Sequence, residues 1–305
     1  MITVDSISKR YGDKVAVDSL SFTVRPGVVT GFLGPNGSGK STTMRLIMGL
    51  DSPTSGTATV NGRSLADHQA PLHEVGALLE ARAIHPGRSA YDHLSAMAAT
   101  TGVPDRRVRE VLDLVGISSV AKKRAGSFSL GMGQRLGIAG ALLADPETII
   151  LDEPVNGLDP EGILWIRHLL KGLADEGRTV FVSSHLISEI GLMAEHLIVI
   201  GRGRMIGDMT VDELRQVGSD GRVDVTTPYP ADLTQALLGE GVSIDSTDDA
   251  HVISVTGLLA AEIGDLAFAS GIPLHALVPR EASLEEAFMS LTHDSVEYQP
   301  AAVAA

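Results

Sequence analysis

The stretch SFSLGMGQRLGIAGALLADPETIILDEPVNGLDP, residues 127–160, decides the fold. A polar, glycine-bearing start leads into GQRLGIAGALLA, whose apolar positions lie three and four apart, as in a helix. A short apolar strand follows, TIIL, and ends on two adjacent carboxylates, Asp152 and Glu153. Two acids at the end of a buried strand are costly unless they hold a metal or activate a water.

The flanking sequence gives that strand a context. Downstream, EGILWIRHLLKGLADEG reads as an amphipathic helix and TVFVSSH as a second short apolar strand. Strand, helix and strand in this order make a β-α-β unit with a right-handed crossover. His185 then stands at the C-terminal end of a parallel strand, the edge where α/β proteins bind ligands. On position alone, a satisfied structural histidine is the stronger reading. Upstream, VVTGFLG is an apolar strand, TTMRLIMGL has helical spacing, and Gly34-Pro35-Asn36-Gly37-Ser38-Gly39-Lys40-Ser41 between them fits the phosphate-loop pattern. Glycines let several backbone N–H groups converge on a phosphate at a helix N-terminus. Lys40 should reach the β- and γ-phosphates, and the Ser41 hydroxyl, with Thr42 beside it, lies where Mg2+ and the nucleotide are held. Beside this loop, Asp152 reads as the residue that holds Mg2+ through water and Glu153 as the one that polarises the attacking water. The substrate expected is a nucleoside triphosphate, hydrolysed with Mg2+.

The remaining organisation follows from pattern and composition. ITVDSISKRY, AVDSLSFTV and TATVNG read as β-structure, and residues 82–145 as mainly helical. After about Asp212, short strands and helices alternate without a catalytic motif, which predicts a small α+β domain over 216–298 and a disordered tail at 299–305. A net charge of −14 speaks against non-specific nucleic-acid binding. The chain has no cysteine, hence neither disulfides nor a thiolate site. The N-terminus shows no apolar signal core and no stretch reaches about 18 consecutive apolar residues, so a cytoplasmic protein is expected.

Taken together, Tyr11, GPNGSGKS, Glu80 after a strand, FSLGMGQR, ILDEP, GLD and SSH resemble the ATP-binding subunit of an ATP-binding-cassette transporter over residues 1–215. The resemblance implies a P-loop α/β fold with an antiparallel β subdomain and a helical subdomain. It implies that Tyr11, on its own a hairpin tyrosine as readily as a base-stacking one, stacks on adenine, and that His185 is the switch histidine. Phe128 to Met132 becomes the signature element, whose Ser129 and Gly131 serve the γ-phosphate of ATP held by the opposite subunit. Asp159 becomes the loop acid that communicates across the dimer. Glu80 stands where a glutamine usually joins the Mg2+ site to the membrane partner. Leu130 and Met132 depart from the usual glycine and glutamine, and Met132 lacks the latter's hydrogen-bonding groups. These variants resemble those of drug- and antibiotic-resistance exporters. The implied partners are a second nucleotide-binding domain, in a homodimer, and a separate transmembrane permease that holds the chain at the inner face of the membrane. Two other readings stay open here: a non-transport ATPase of the same type acting in translation or repair, and a regulatory module that grips ATP without turnover.

Overall fold

The computed structural model describes residues 1–80, 84–218, 221–239, 241–247, 249–280 and 283–292, with 216–218 described by backbone only. The expected tail at 299–305 and the first two positions of the expected helical region, 82–83, lie outside the described residues. The chain divides into two compact units, Met1–Val211 and Asp212–Leu291, with Thr292 grouped with the first.

In chain order the first unit carries β1 (Ile2–Tyr11), β2 (Lys14–Val24), β3 (Val29–Leu33), α1 (Lys40–Ile47), β4 (Ser55–Val60), α2 (Pro71–Glu74) and β5 (Val75–Leu78). There follow α3 (Ala90–Thr101), α4 (Asp105–Leu114), α5 (Leu130–Leu142), β6 (Thr148–Leu151), α6 (Pro160–Asp175), β7 (Thr179–Ser184), α7 (Ile187–Ile190), β8 (His196–Gly201) and β9 (Arg204–Thr210). Strands β2, β1 and β4 form an antiparallel sheet. A six-stranded sheet runs β5-β6-β7-β3-β8-β9, parallel except for the final hairpin. Its inner strands are mainly apolar because both faces are covered: every residue of β3, β6 and β7 is buried.

The two sheets share one aliphatic core, in which Ile2, Ile7 and Leu20 of the antiparallel sheet meet Ile150 and Ile198 of the central one. Three of the six phenylalanines sit together there, with ring centroids of Phe22, Phe32 and Phe181 5.0–5.7 Å apart. Tilted pairs of this kind each add about 1 kcal/mol beyond their burial.

Helices α3, α4 and α5 occupy most of the span expected to be helical. Ser89 caps α3 by accepting the Asp92 N–H at 3.1 Å, and Gly102 ends it in a left-handed turn. Trp165, the single tryptophan, ties α6 to these helices. Its indole N–H donates to the Leu114 carbonyl at 3.2 Å, and the Arg135 guanidinium lies 4.3 Å from the ring centroid.

The second unit carries α8 (Val211–Gly218), whose first residue belongs to the first unit, then β10 (Val223–Thr226), α9 (Pro230–Leu237), β11 (Ser243–Ser246), β12 (Val252–Thr256), α10 (Ala260–Ala269), β13 (Ala276–Pro279) and α11 (Leu284–Thr292). Its four strands pair antiparallel in the order β11-β12-β10-β13. Leu233 and Leu237 of α9 and Ile263 and Ala267 of α10, each four residues apart, pack with Val223, Val225, Ile253 and Val255. This is an α+β arrangement.

Candidate active site

The parallel register brings the C-terminal ends of four strands to one edge. Leu33 pairs with Ser184, Leu151 with Val182 and Leu78 with Leu151. The segments that leave these strands therefore carry the phosphate loop, Asp152 with Glu153, His185, and Glu80 to the same side. Such an edge is where open α/β sheets bind ligands.

The loop itself is shaped by close approach. A Cβ on Gly34 would stand 2.4 Å from the Ile200 carbonyl oxygen and 2.5 Å from Ser38 Oγ. Gly39 has φ +106°, and a Cβ there would meet the Ala16 carbonyl oxygen at 2.6 Å. Any side chain at either position would push the loop off β2 and the β8–β9 turn. The Ser38 hydroxyl is buried and has no hydrogen-bond partner. Lys40 opens α1 and is buried, 6% exposed. Its ammonium donates to the carbonyls of Gly34 at 2.6 Å and Pro35 at 3.3 Å. Burial draws its pKa below the ordinary lysine value, opposed by the nearby Glu153 and Asp152 carboxylates. Pro35, Asn36 and Gly37 form the half-buried to exposed crest of the loop, Ser41 is exposed and Thr42 half-buried on the first turn of α1.

Glu153 lies between His185 and Lys40. One carboxylate oxygen is 2.8 Å from His185 Nδ1 and the other 3.9 Å from Lys40 Nζ. Its backbone is left-handed, φ 51°, which costs a non-glycine residue on the order of 1 kcal/mol. Ser183 steadies that conformation: its hydroxyl accepts the Glu153 N–H at 2.9 Å and donates to the Asp152 carboxylate. The Asp152 N–H in turn donates to the Leu78 carbonyl at 2.8 Å, which fixes the acid pair to the end of β5. Gln134 of α5, buried at 2% exposure, donates to the Glu153 carbonyl at 3.3 Å. Neither Ser183 nor Gln134 is singled out by the sequence reading. The available signal is two hydroxyls, Ser183 and Ser184, inside an otherwise apolar strand.

Among the described residues, the other expected ones make no hydrogen bond or ion pair to this cluster. Tyr11 ends β1, half-exposed; its hydroxyl donates to Asp51 at 3.0 Å, and Asp51 accepts from Arg45 of α1 at 2.8 Å. The aromatic ring is thereby tethered to the helix that begins at Lys40, with the Lys9 ammonium 4.9 Å from its centroid. Glu80 is exposed just past β5. Ser129 and Asp159 play matching local parts. Ser129 caps α5 by accepting the Met132 N–H at 3.2 Å, and Asp159 caps α6 by accepting the Gly162 N–H at 2.9 Å. Both are exposed, and Gly131 lies against the loop before α6, where a Cβ would stand 2.9 Å from the Gly157 carbonyl oxygen. These residues gather at two adjacent helix starts and make none of the hydrogen bonds that tie Lys40, Asp152, Glu153, Ser183 and His185 into one cluster.

A phosphate loop and an acid pair delivered to one edge of a parallel sheet define a nucleoside triphosphatase of the P-loop class. Comparison with known proteins narrows the class. Residues 17–156 match the ABC transporter family. The chain is 40% identical over 219 residues to the bacitracin transport ATP-binding protein BcrA of Bacillus licheniformis, covering 71% of this chain and 72% of that protein. It is 32% identical over 313 residues to the linearmycin resistance ATP-binding protein LnrL of Bacillus subtilis, covering 96% and 98%. A bacterial ABC transporter cassette solved as a dimer matches with a TM-score of 0.65 at 25% identity, over 69% of this chain and 99% of that one. The chain belongs to the ATP-binding proteins of ABC transporters, and it is an ATP-binding, ATP-hydrolysing cassette. Residues 221–285 match a domain family of unknown function.

Proposed function

We propose that this chain powers a separate membrane permease: two cassettes close around two ATP molecules, and hydrolysis lets them part. The observation that carries the reading is Glu153, a carboxylate on a strained backbone set between His185 and Lys40. In this reading Lys40 and the loop amides hold the phosphates. A buried ammonium bonded to two loop carbonyls gains from a phosphate oxygen, which carries charge where a carbonyl does not. The glycine-walled cradle and the unpartnered Ser38 hydroxyl suit such a group. Tyr11 supplies the flat face for adenine. Ser41, Asp152 and Glu80 offer the hard oxygen donors that Mg2+ takes. When bound, Mg2+ neutralises charge on the transferring phosphate. Glu153 accepts the proton of the attacking water. His185 orients that carboxylate and holds the γ-phosphate side of the site.

Ser129, Gly131 and Asp159 are the half of the machinery that serves the nucleotide of a second copy. The exposure of Ser129 and Asp159 at two capped helix starts supports this division. Among the described residues no helix is long and apolar enough to cross a membrane. In this reading the permease is a separate chain, and the cassette sits at the inner membrane face through it. Relatives named for bacitracin transport and linearmycin resistance support export of a drug, antibiotic or peptide. The unit Asp212–Leu291 is an accessory domain of this assembly.

The test is Glu153→Gln in the purified chain. ATP binding persists, turnover falls by at least about 100-fold, the low end for loss of a general base, and light scattering finds an ATP-dependent dimer. Turnover unchanged from the parent removes Glu153 as the base. Tagged protein drawn from solubilised membranes should bring a polytopic membrane chain with it; recovery with ribosomes or DNA alone overturns the transport reading.

A further inference from the structure

Two loops of this chain interlock at the start of α5 and α6. Gly157 has φ +78°, and a Cβ built on it would lie 2.3 Å from Leu130 Cδ2, 2.4 Å from Leu130 Cγ and 3.1 Å from Leu130 Cβ. The obstacle is the whole branched end of the leucine and not merely one mobile methyl. In the opposite direction, a Cβ on Gly131 would stand 2.9 Å from the Gly157 carbonyl oxygen and 3.6 Å from Leu158 Cδ2. Each loop therefore has a glycine where the other places bulk. Leu130 is 49% exposed, so burial of its side chain in a core does not explain its position. Helix α5 makes a further tie a turn later, where Gln134 donates to the Glu153 carbonyl at 3.3 Å.

We propose that Leu130 is a positioning residue, a latch seated on Gly157 that makes the Ser129 loop and the Asn156–Asp159 loop move as one body. Ser129 lies one residue before the latch and Asp159 two residues after its seat. Through Gln134 the same body reaches the Glu153 backbone. Displacement of Ser129 by the nucleotide of a second copy is thereby felt at the general base of this chain's own site. The inference rests on the reading that Ser129 and Asp159 act across a dimer.

The experiment is a double-mutant cycle on the full chain, with kcat and KM for ATP read separately. Gly157→Ala places a methyl in the space Leu130 fills and should lower kcat by about 10-fold, within the range of couplings measured between touching residues. KM for ATP should hold, because the phosphate loop is untouched. In a Leu130→Gly background the same Gly157→Ala change should cost little beyond the left-handed strain common to both backgrounds. An equal cost in both backgrounds overturns the latch. Leu130→Met, which keeps the contact, should retain kcat, whereas Leu130→Gly loses it. This pair decides the matter even if Gly157→Ala does not fold, since Leu130 is exposed; equal kcat for the two overturns the proposal. Failure of the dimer reading shows up separately, as Glu153→Gln protein that stays monomeric with ATP.

Discussion

Replacing Ser183 by alanine tests how Glu153, the proposed general base, is held. The hydroxyl is fully buried and makes two bonds, accepting the Glu153 N–H at 2.9 Å and donating to the Asp152 carboxylate. Alanine removes both and adds no bulk. The Glu153 N–H is then left without its partner, a loss of roughly 1–3 kcal/mol for a buried group, and the bond to an ionised carboxylate carries about 1.5–3 kcal/mol more. Part of this is recovered by water at a site open to solvent. The consequence falls on Glu153, because its left-handed backbone is already unfavourable and Ser183 is what the N–H holds. If about 2 kcal/mol of positioning is lost in the transition state, kcat falls roughly 30-fold. KM for ATP should change little, since Lys40 and the phosphate loop keep their contacts. Phosphate release under steady-state conditions measures both constants, and a thermal melt separates the stability loss. A kcat within twofold of the parent, in protein that melts at a lower temperature, would refute the claim that Ser183 positions the base.

The remaining predictions concern one uncompensated hydroxyl and one buried ammonium. Thr148 opens β6 at 0% exposure with its hydroxyl unpartnered, so Thr148→Val should stabilise the protein by about 1 kcal/mol, without changing turnover; a lowered melting temperature contradicts this. Lys40 has a pKa drawn below 10.5 by burial, so between its folded and unfolded values the unfolded chain binds more protons and stability rises with pH. Nucleotide phosphates push that pKa back up, so ATP binding just below pH 10.5 should take up a proton. Calorimetry in two buffers of different ionisation enthalpy reads the uptake, which Lys40→Ala should abolish along with most of the affinity. Binding that moves no proton in the parent protein sinks the argument.

Much of the fold was legible because its signals are local. The apolar strands TIIL and TVFVSS could only be buried, and the glycine loop between strand and helix has few structural uses. The acid pair and His185 were legible for the same reason, at the ends of those strands. What stayed hidden depends on contacts between distant segments. Ser183 reads as one more strand residue until its register places it beside Asp152. Gln134 is an ordinary helix residue until α5 packs near the end of β6. Leu130 reads as a departure from pattern until Gly157, 27 positions later, is seen beneath it. The hairpin β8–β9, which completes the central sheet and walls the phosphate loop through Ile200 and Gly203, gave no motif to read.

The lone indole has a practical consequence. Trp165 rides on α6, the helix that Asp159 begins, yet its N–H and its ring face are engaged by Leu114 and Arg135 of the helical region. With a single tryptophan in the chain, its emission comes from one place only. Rotation of the helical region against α6 strips the guanidinium from the ring and wets the indole, so wavelength and intensity report that motion without a label. The molecule carries its own optical gauge, where α6 meets the helical region.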